Sequence, residues 1–206
     1  GDARILLARD GVRYRQAEWS PDASRLAFIS DEPQQRDGVV VREQQLYVAE
    51  ADGTGARALT QESGRQLIGL RWSPDSRWLT LADSETRLWL VDAASGMRTL
   101  ITRGEGWLPP AHSFSPDSKW LAHLEHDFIT NFDALALYEV GSGRRIKVSD
   151  GWADDFAPAF SRDGRWLAFL SHRNVAPRRD PFLNQLAHEN PTKAFLLALH
   201  PETRSP

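Results

Sequence analysis

Phe114-Ser115-Pro116-Asp117-Ser118-Lys119-Trp120-Leu121-Ala122 decides the fold, because the chain carries the same phrase four times. An aromatic residue is followed by a Ser-x-Asp turn, a basic residue and a short apolar run. The other copies are Trp19-Ser20-Pro21-Asp22 running to Leu26, Trp72-Ser73-Pro74-Asp75 running to Leu79, and Phe160-Ser161-Arg162-Asp163 running to Leu167. Aromatic and leucine stand seven apart in each copy, and the copies begin 53, 42 and 46 residues after one another. A period of roughly 40–50 residues built from short β segments is the signature of propeller blades, four-stranded sheets that cannot bury both faces alone.

Within the phrase, Pro presets φ for a type I turn, and the Ser and Asp side chains can bond nearby amides. Gly164 suits the left-handed position after the turn; Ala23, Ser76 and Ser118 hold that place at a conformational cost. The second strands are predicted at Leu26–Ser30, Leu79–Asp83, Leu121–Glu125 and Leu167–Ser171. The third are predicted at Gln45–Ala49, Arg87–Val91, Ala134–Val140 and Ala194–Leu199. Asp52-Gly53-Thr54-Gly55, Ala94-Ser95-Gly96 and Gly141-Ser142-Gly143 turn the chain into short fourth strands such as Ala58–Thr60 and Arg98–Ile101. The expected fold is therefore all-β: a single β-propeller region over 1–206, with four four-stranded blades near 10–60, 66–102, 107–149 and 152–200. It is expected to belong to a larger ring of about six to eight blades. Only the loop Asn174–Pro191 has the length to hold a helical turn, and that length points to a packing or binding role.

The ends carry a second pattern. Ala3-Arg4-Ile5-Leu6-Leu7 resembles Ala56-Arg57-Ala58-Leu59-Thr60, so residues 1–8 read as an outer strand with no blade in front of it. Two arrangements are open. This strand could pair with Ala194–Leu199 and close a four-bladed ring, hiding two sheet edges. Alternatively the chain is an arc of a larger ring, and the tightness of a four-bladed ring favours the arc.

Composition narrows the function mostly by exclusion. Hydrophobic content of 41% with 26% charged residues is that of an ordinary soluble globular protein. A net charge of −3 exerts no global pull on nucleic acid or an anionic membrane, so neither is an expected partner. No apolar run approaches the ~18 residues of a membrane span. Without cysteine there is no disulfide framework, thiol nucleophile or zinc ribbon, which favours cytoplasm slightly over periplasm and leaves localisation open. Most of the eight tryptophans lie in the repeats and read as blade packing.

Catalytic motifs are missing: there is no Gly-x-Ser-x-Gly elbow, Walker loop, Gly-x-Gly-x-x-Gly or His-Glu-x-x-His. His123, His126 and Asp127 could suggest a metal, but an odd spacing on a strand sends two side chains to opposite faces. Solvated histidines are expected instead, and no catalytic, cofactor or metal residue is assigned. The candidate contacts are Asp154 and Asp155, which either line a channel or accept hydrogen bonds from neighbouring turns, Arg173, placed to pair with one of them, and Arg178 and Arg179 in the long loop, which read either as solvated surface or as an anchor for a peptide carboxylate or a neighbouring domain.

A resemblance adds to this reading. It is carried by Trp72-Ser73-Pro74-Asp75-Ser76-Arg77, by His112 to Ala122, and by Val148-Ser149-Asp150-Gly151-Trp152. It continues through Asp154-Asp155, Pro158-Ala159-Phe160-Ser161, Phe169-Leu170-Ser171-His172-Arg173-Asn174, Pro191-Thr192-Lys193-Ala194-Phe195-Leu196-Leu197 and Ser205-Pro206. These stretches resemble the propeller repeats shared by TolB, tricorn protease and the prolyl oligopeptidases, and the last hundred residues are most similar to tricorn. His172, where such repeats often carry Asp, departs from the pattern. The resemblance implies a non-catalytic propeller segment of a serine peptidase that gates or channels peptides or unfolded polypeptide segments. Its implied partners are the peptidase and PDZ domains of a parent chain, with homo-oligomers open; the alternative is a stand-alone TolB-like scaffold for protein–protein interaction.

Overall fold

The computed structural model describes residues 5–61, 64–104, 110–173, 177–179, 186–188, 192–200 and 202–203, with backbone alone at 36, 177–179 and 186–188. The chain divides into two compact units, 1–109 and 110–206.

The first unit runs through β1 (Tyr14–Trp19), β2 (Arg25–Ser30), β3 (Gln34–Arg36), β4 (Val39–Val41), β5 (Gln45–Glu50), β6 (Arg57–Ala58), β7 (Leu67–Trp72), β8 (Trp78–Asp83), β9 (Arg87–Asp92) and β10 (Arg98–Arg103). β1-β2-β5-β6 and β10-β9-β8-β7 are antiparallel four-stranded meanders, and β3–β4 is a hairpin inserted between β2 and β5. The period of two sorts each strand's side chains onto two faces. Ala27, Ile29, Leu46 and Val48 leave the first sheet on one face and pack with Leu67, Leu70, Trp72, Leu79 and Leu81 of the second. Leu26, Phe28, Tyr47 and Ala49 leave on the other face, where Leu6, Leu7 and Tyr14 cover them.

The second unit contains β11 (His112–Phe114), β12 (Trp120–Asp127), β13 (Phe132–Glu139), β14 (Arg145–Lys147), β15 (Asp155–Phe160), β16 (Trp166–Ser171), β17 (Pro177–Arg179), β18 (Leu186–His188) and β19 (Lys193–Ala198). β11-β12-β13-β14 is again a four-stranded meander, whereas β15-β16-β19 shows three strands among the described residues. Ala122, Leu124, Leu135 and Leu137 pack on Leu167, Phe169, Phe156, Phe195 and Leu197. Within the long loop the described residues form the antiparallel pair β17–β18, and the rest of the loop, where a helical turn is expected, lies outside the described residues.

The four Ser-x-Asp turns share one hydrogen-bond cage. In the third copy Ser115 Oγ donates to Asp117 Oδ1 at 2.6 Å and accepts the Trp120 amide at 2.9 Å, while Lys119 N donates to Asp117 Oδ1 at 3.1 Å. Ser161, Asp163, Arg165 and Trp166 repeat it with 2.6, 2.9 and 3.1 Å. The residue after each Asp is left-handed: Ala23 at φ 58°, Ser76 at 60°, Ser118 at 60° and Gly164 at 69°. The leucine seven residues after the aromatic is buried in every copy, with exposure of 8% at Leu26 and 0% at Leu79, Leu121 and Leu167.

One feature of these sheets lies outside the repeat pattern. The first strand of three blades slips register, between Arg15 and Glu18, Ile68 and Arg71, and Phe156 and Ala159. Each slip holds a residue with positive φ: Gln16, Gly69 and Ala157. These are β-bulges, which bend and twist a strand locally.

Candidate functional site

Asp154 and Asp155 stand at the start of β15, the end opposite the Ser-x-Asp turn, and the structure gives them different surroundings. Asp155 is wholly buried, and its Oδ1 and Oδ2 accept Arg173 Nη2 at 2.8 and 2.9 Å. Arg173 has further partners: Nε donates to Ser171 Oγ at 2.9 Å, and the guanidinium, itself partly exposed, lies 5.2 Å from the Phe169 ring centroid and 5.0 Å from that of Phe195. A charge removed from water must be paired and hydrogen-bonded, and this pair is both. The Asp155–Arg173 pair therefore anchors blade four. Asp154 keeps its carboxylate at the surface, accepting the Asp133 amide at 3.2 Å with His172 Nδ1 at 3.7 Å. Of the two acids, Asp154 alone is open to a visitor. Arg178 and Arg179 belong to β17, and their side chains lie outside the described residues.

Comparable anchors occupy the same end of other blades. Asp31 accepts Arg13 N at 2.7 Å and Arg13 Nε at 2.8 Å; the amide bond, with the guanidinium, outweighs burial and holds its carboxyl below the usual range. Burial pushes the Asp83 carboxyl up, but donation from Arg87 Nε at 2.8 Å and Trp89 Nε1 at 2.9 Å overcomes it and leaves the carboxyl low.

His123 is not the solvated residue expected. It lies mid-strand in β12, fully buried, and burial pushes its imidazole down to about 4. His126 is three residues on in an unbroken register, so it leaves the opposite face, and its Nδ1 meets Asp133 Oδ1 at 2.9 Å. Among the described residues no three His, Asp or Glu groups gather as a metal would need.

The turn end of the second unit holds a feature that inspection of motifs misses. A cleft of about 410 Å³ opens between the third and fourth blades. Trp120, Leu137, Ile146 and Phe160 form its walls, and Asp117 and Asp163 stand at its rim. Only the blade register, which matches each position here to one in the first unit, exposes it.

The family model described as the tricorn protease second β-propeller domain matches residues 1–206. A putative tricorn-like protease C-terminal subunit from Sulfurisphaera tokodaii is 25% identical over 97% of this chain and 22% of its own length. Tricorn protease homolog 1 from Streptomyces coelicolor is 29% identical over 100% of this chain and 19% of its own. The chain thus spans about a fifth of the curated relatives it matches. The crystal structure of the tricorn protease superposes with a TM-score of 0.76 at 20% identity, covering 94% of this chain and 18% of that one, which supports the propeller fold. The chain belongs to the family of tricorn protease second β-propeller domains.

Proposed function

We propose that this propeller is the non-catalytic part of a tricorn-like serine peptidase, receiving peptide segments and docking on catalytic domains carried elsewhere in the same protein. The observation that carries the reading is the family match over residues 1–206, joined to relatives named as proteases that are about five times longer. The local chemistry agrees with it. The serine hydroxyls of the repeated turns are engaged with their own aspartates and amides, and the buried acid of blade four is spent on Arg173. Asp154 is the surface group assigned to peptide contact, and Arg178 and Arg179 are assigned the same role from the sequence.

The test is enzymatic. The purified chain should hydrolyse neither peptide nor ester substrates, while the whole protein does. A serine-directed reagent that stops the whole protein should label a residue outside 1–206. Turnover by the chain alone, with the label on one of its own serines, would overturn the proposal.

A further inference from the structure

The molecule builds the same seam between blades twice, and the two are finished differently. In the first unit Arg25, just before the repeated Leu26, lies 5.1 Å from the Trp72 ring centroid and donates to the Ser76 carbonyl. Arg57, paired with Val48, donates from Nη2 to the carbonyl oxygens of Ala93 and Ala94 at 2.7 Å each. The Asp22 amide donates to Ser76 Oγ at 3.1 Å. Two guanidinium groups close this seam at its turn rim.

Register identifies the counterparts in the second unit. Trp120 precedes the repeated Leu121 as Arg25 precedes Leu26, and Ile146 pairs with Leu137 as Arg57 pairs with Val48. Gly164 follows its turn aspartate as Ser76 does. The Leu199 amide donates to the Arg165 carbonyl at 3.0 Å as the Ala93 amide donates to that of Arg77 at 2.9 Å. So tryptophan, isoleucine and glycine replace arginine, arginine and serine, and the arginine ties of the first seam are lost. The cleft of about 410 Å³ lies at these positions, lined by Trp120, Ile146 and Gly164. None of the first seam's ties comes from β10, so an outer strand on the fourth blade would not replace them.

We propose that this cleft binds the arginine side chain of an extended peptide, which supplies in trans the guanidinium that Arg25 and Arg57 supply to the first seam. The inference rests on the peptide-handling reading above for its role. Trp120 and Phe160 offer aromatic faces to a planar cation, and Gly164 and Leu199, which line the cleft, hold the register positions at which the Ser76 and Ala93 carbonyls accept arginine donors in the first seam. Asp117 and Asp163 keep their charge at the rim. For Asp163 the Ser161 hydroxyl bond holds the carboxyl low; for Asp117 burial raises it, and the Ser115 and Lys119 donors more than offset that. The rim also holds cations: Arg144, over Trp120 at 5.2 Å and tied to Glu139 at 3.1 Å; Lys119, 4.0 Å from Asp117; and exposed Arg162. Net charge is thus not what selects the guest. Being a planar cation is what selects it: a guanidinium stacks its charged face on a ring while its edge donates to two carbonyls, the tetrahedral lysine ammonium has no face to stack, and neutral citrulline lacks the charge that the ring attracts.

Nuclear magnetic resonance of the Trp120 indole N–H provides the test, with acetyl-Gly-Arg-Gly-amide and its lysine and citrulline counterparts as probes. The arginine peptide should shift that signal saturably, and the other two should bind at least tenfold more weakly. Ile146→Arg places the first seam's own plug in the cleft while keeping the Trp120 reporter, and should weaken binding by tenfold or more. Trp120→Arg together with Ile146→Arg should also raise the melting temperature. Equal affinity for the citrulline peptide, no saturable shift, or unchanged binding to the Ile146→Arg chain would each overturn the site. If Ile146→Arg abolishes peptide binding yet leaves protein degradation by the whole peptidase unchanged, the cleft stands and the delivery role falls. If degradation needs the propeller while the cleft binds nothing, the role stands and the cleft falls.

Discussion

The residue at one left-handed position distinguishes the fourth turn from the other three. Ala23, Ser76 and Ser118 sit at φ near 60°, a region that places Cβ against the following carbonyl, and Gly164 reaches it without a Cβ. Gly164→Ala should therefore destabilise the second unit by about 1–2 kcal/mol, and Ala23→Gly should be neutral or stabilising by up to about 1 kcal/mol, as read from urea midpoints. His123 makes the other residue-scale argument. It fills the place held by Phe28, Leu81 and Phe169 in the other copies, and burial keeps it neutral, with a carbonyl contact at Leu124 O and Glu125 Oε1 at 3.9 Å. Arg145 and His112 also disfavour its charged form. Its folded pKa, about 4, lies below the ordinary 6.5, so between those values the unfolded chain binds more protons. Stability should rise with pH across that window and be lost as pH falls from 6.5 toward 4. The slope of denaturation free energy against pH should flatten in His123→Gln. An unchanged slope would assign the titration elsewhere.

At the scale of strands and turns, the repeated leucine is the element's keystone. Leu79, Leu121 and Leu167 are fully buried, so truncating any one to Ala should cost roughly 2–5 kcal/mol, measurable by thermal or urea unfolding. Near-neutral shifts at all three would contradict the packing. These strands were legible because period-two alternation and a hydroxyl–carboxylate turn are local properties of consecutive residues. Gln45–Glu50 and Trp78–Asp83 accordingly fall within a residue of the ranges expected. The β3–β4 hairpin was not legible: its strands are three residues long and carry the exposed Val39 and Val40, so no buried face imposes a pattern. The bulges at Gln16 and Ala157 escape for a different reason, since neither residue favours positive φ and tertiary pairing imposes it. For the candidate site the limit was depth. Asp154 and Asp155 are adjacent in sequence, yet strand alternation buries one and exposes the other, and only coordinates show Arg173 spent on the buried one.

Over the whole chain, the treatment of sheet edges is what differs from blade to blade. β5, β9 and β13 each gain an outer partner in β6, β10 and β14, whereas among the described residues β19 pairs on one side only, with β16. At the other end of the chain, Leu6 and Leu7 pack on Phe28 and Tyr47 of the first blade. The Leu6 carbonyl would stand 2.8 Å from a Cβ at Gly53, as that of Leu59 would from a Cβ at Gly96, so the segment before β1 meets the first blade as the end of one blade meets the next. Deleting residues 1–8 would therefore uncover an apolar face in either arrangement of the ends, and cannot distinguish a closed ring from an arc. The β19 edge can. Its backbone groups and Leu196, 55% exposed, form a template for another strand. The chain should self-associate at high concentration, and Leu196→Lys, a charge on the outward face of the edge, should return it to monomer with little change in melting temperature. Light scattering across a concentration series reads both. A native chain that stays monodisperse would mean that β19 is already covered.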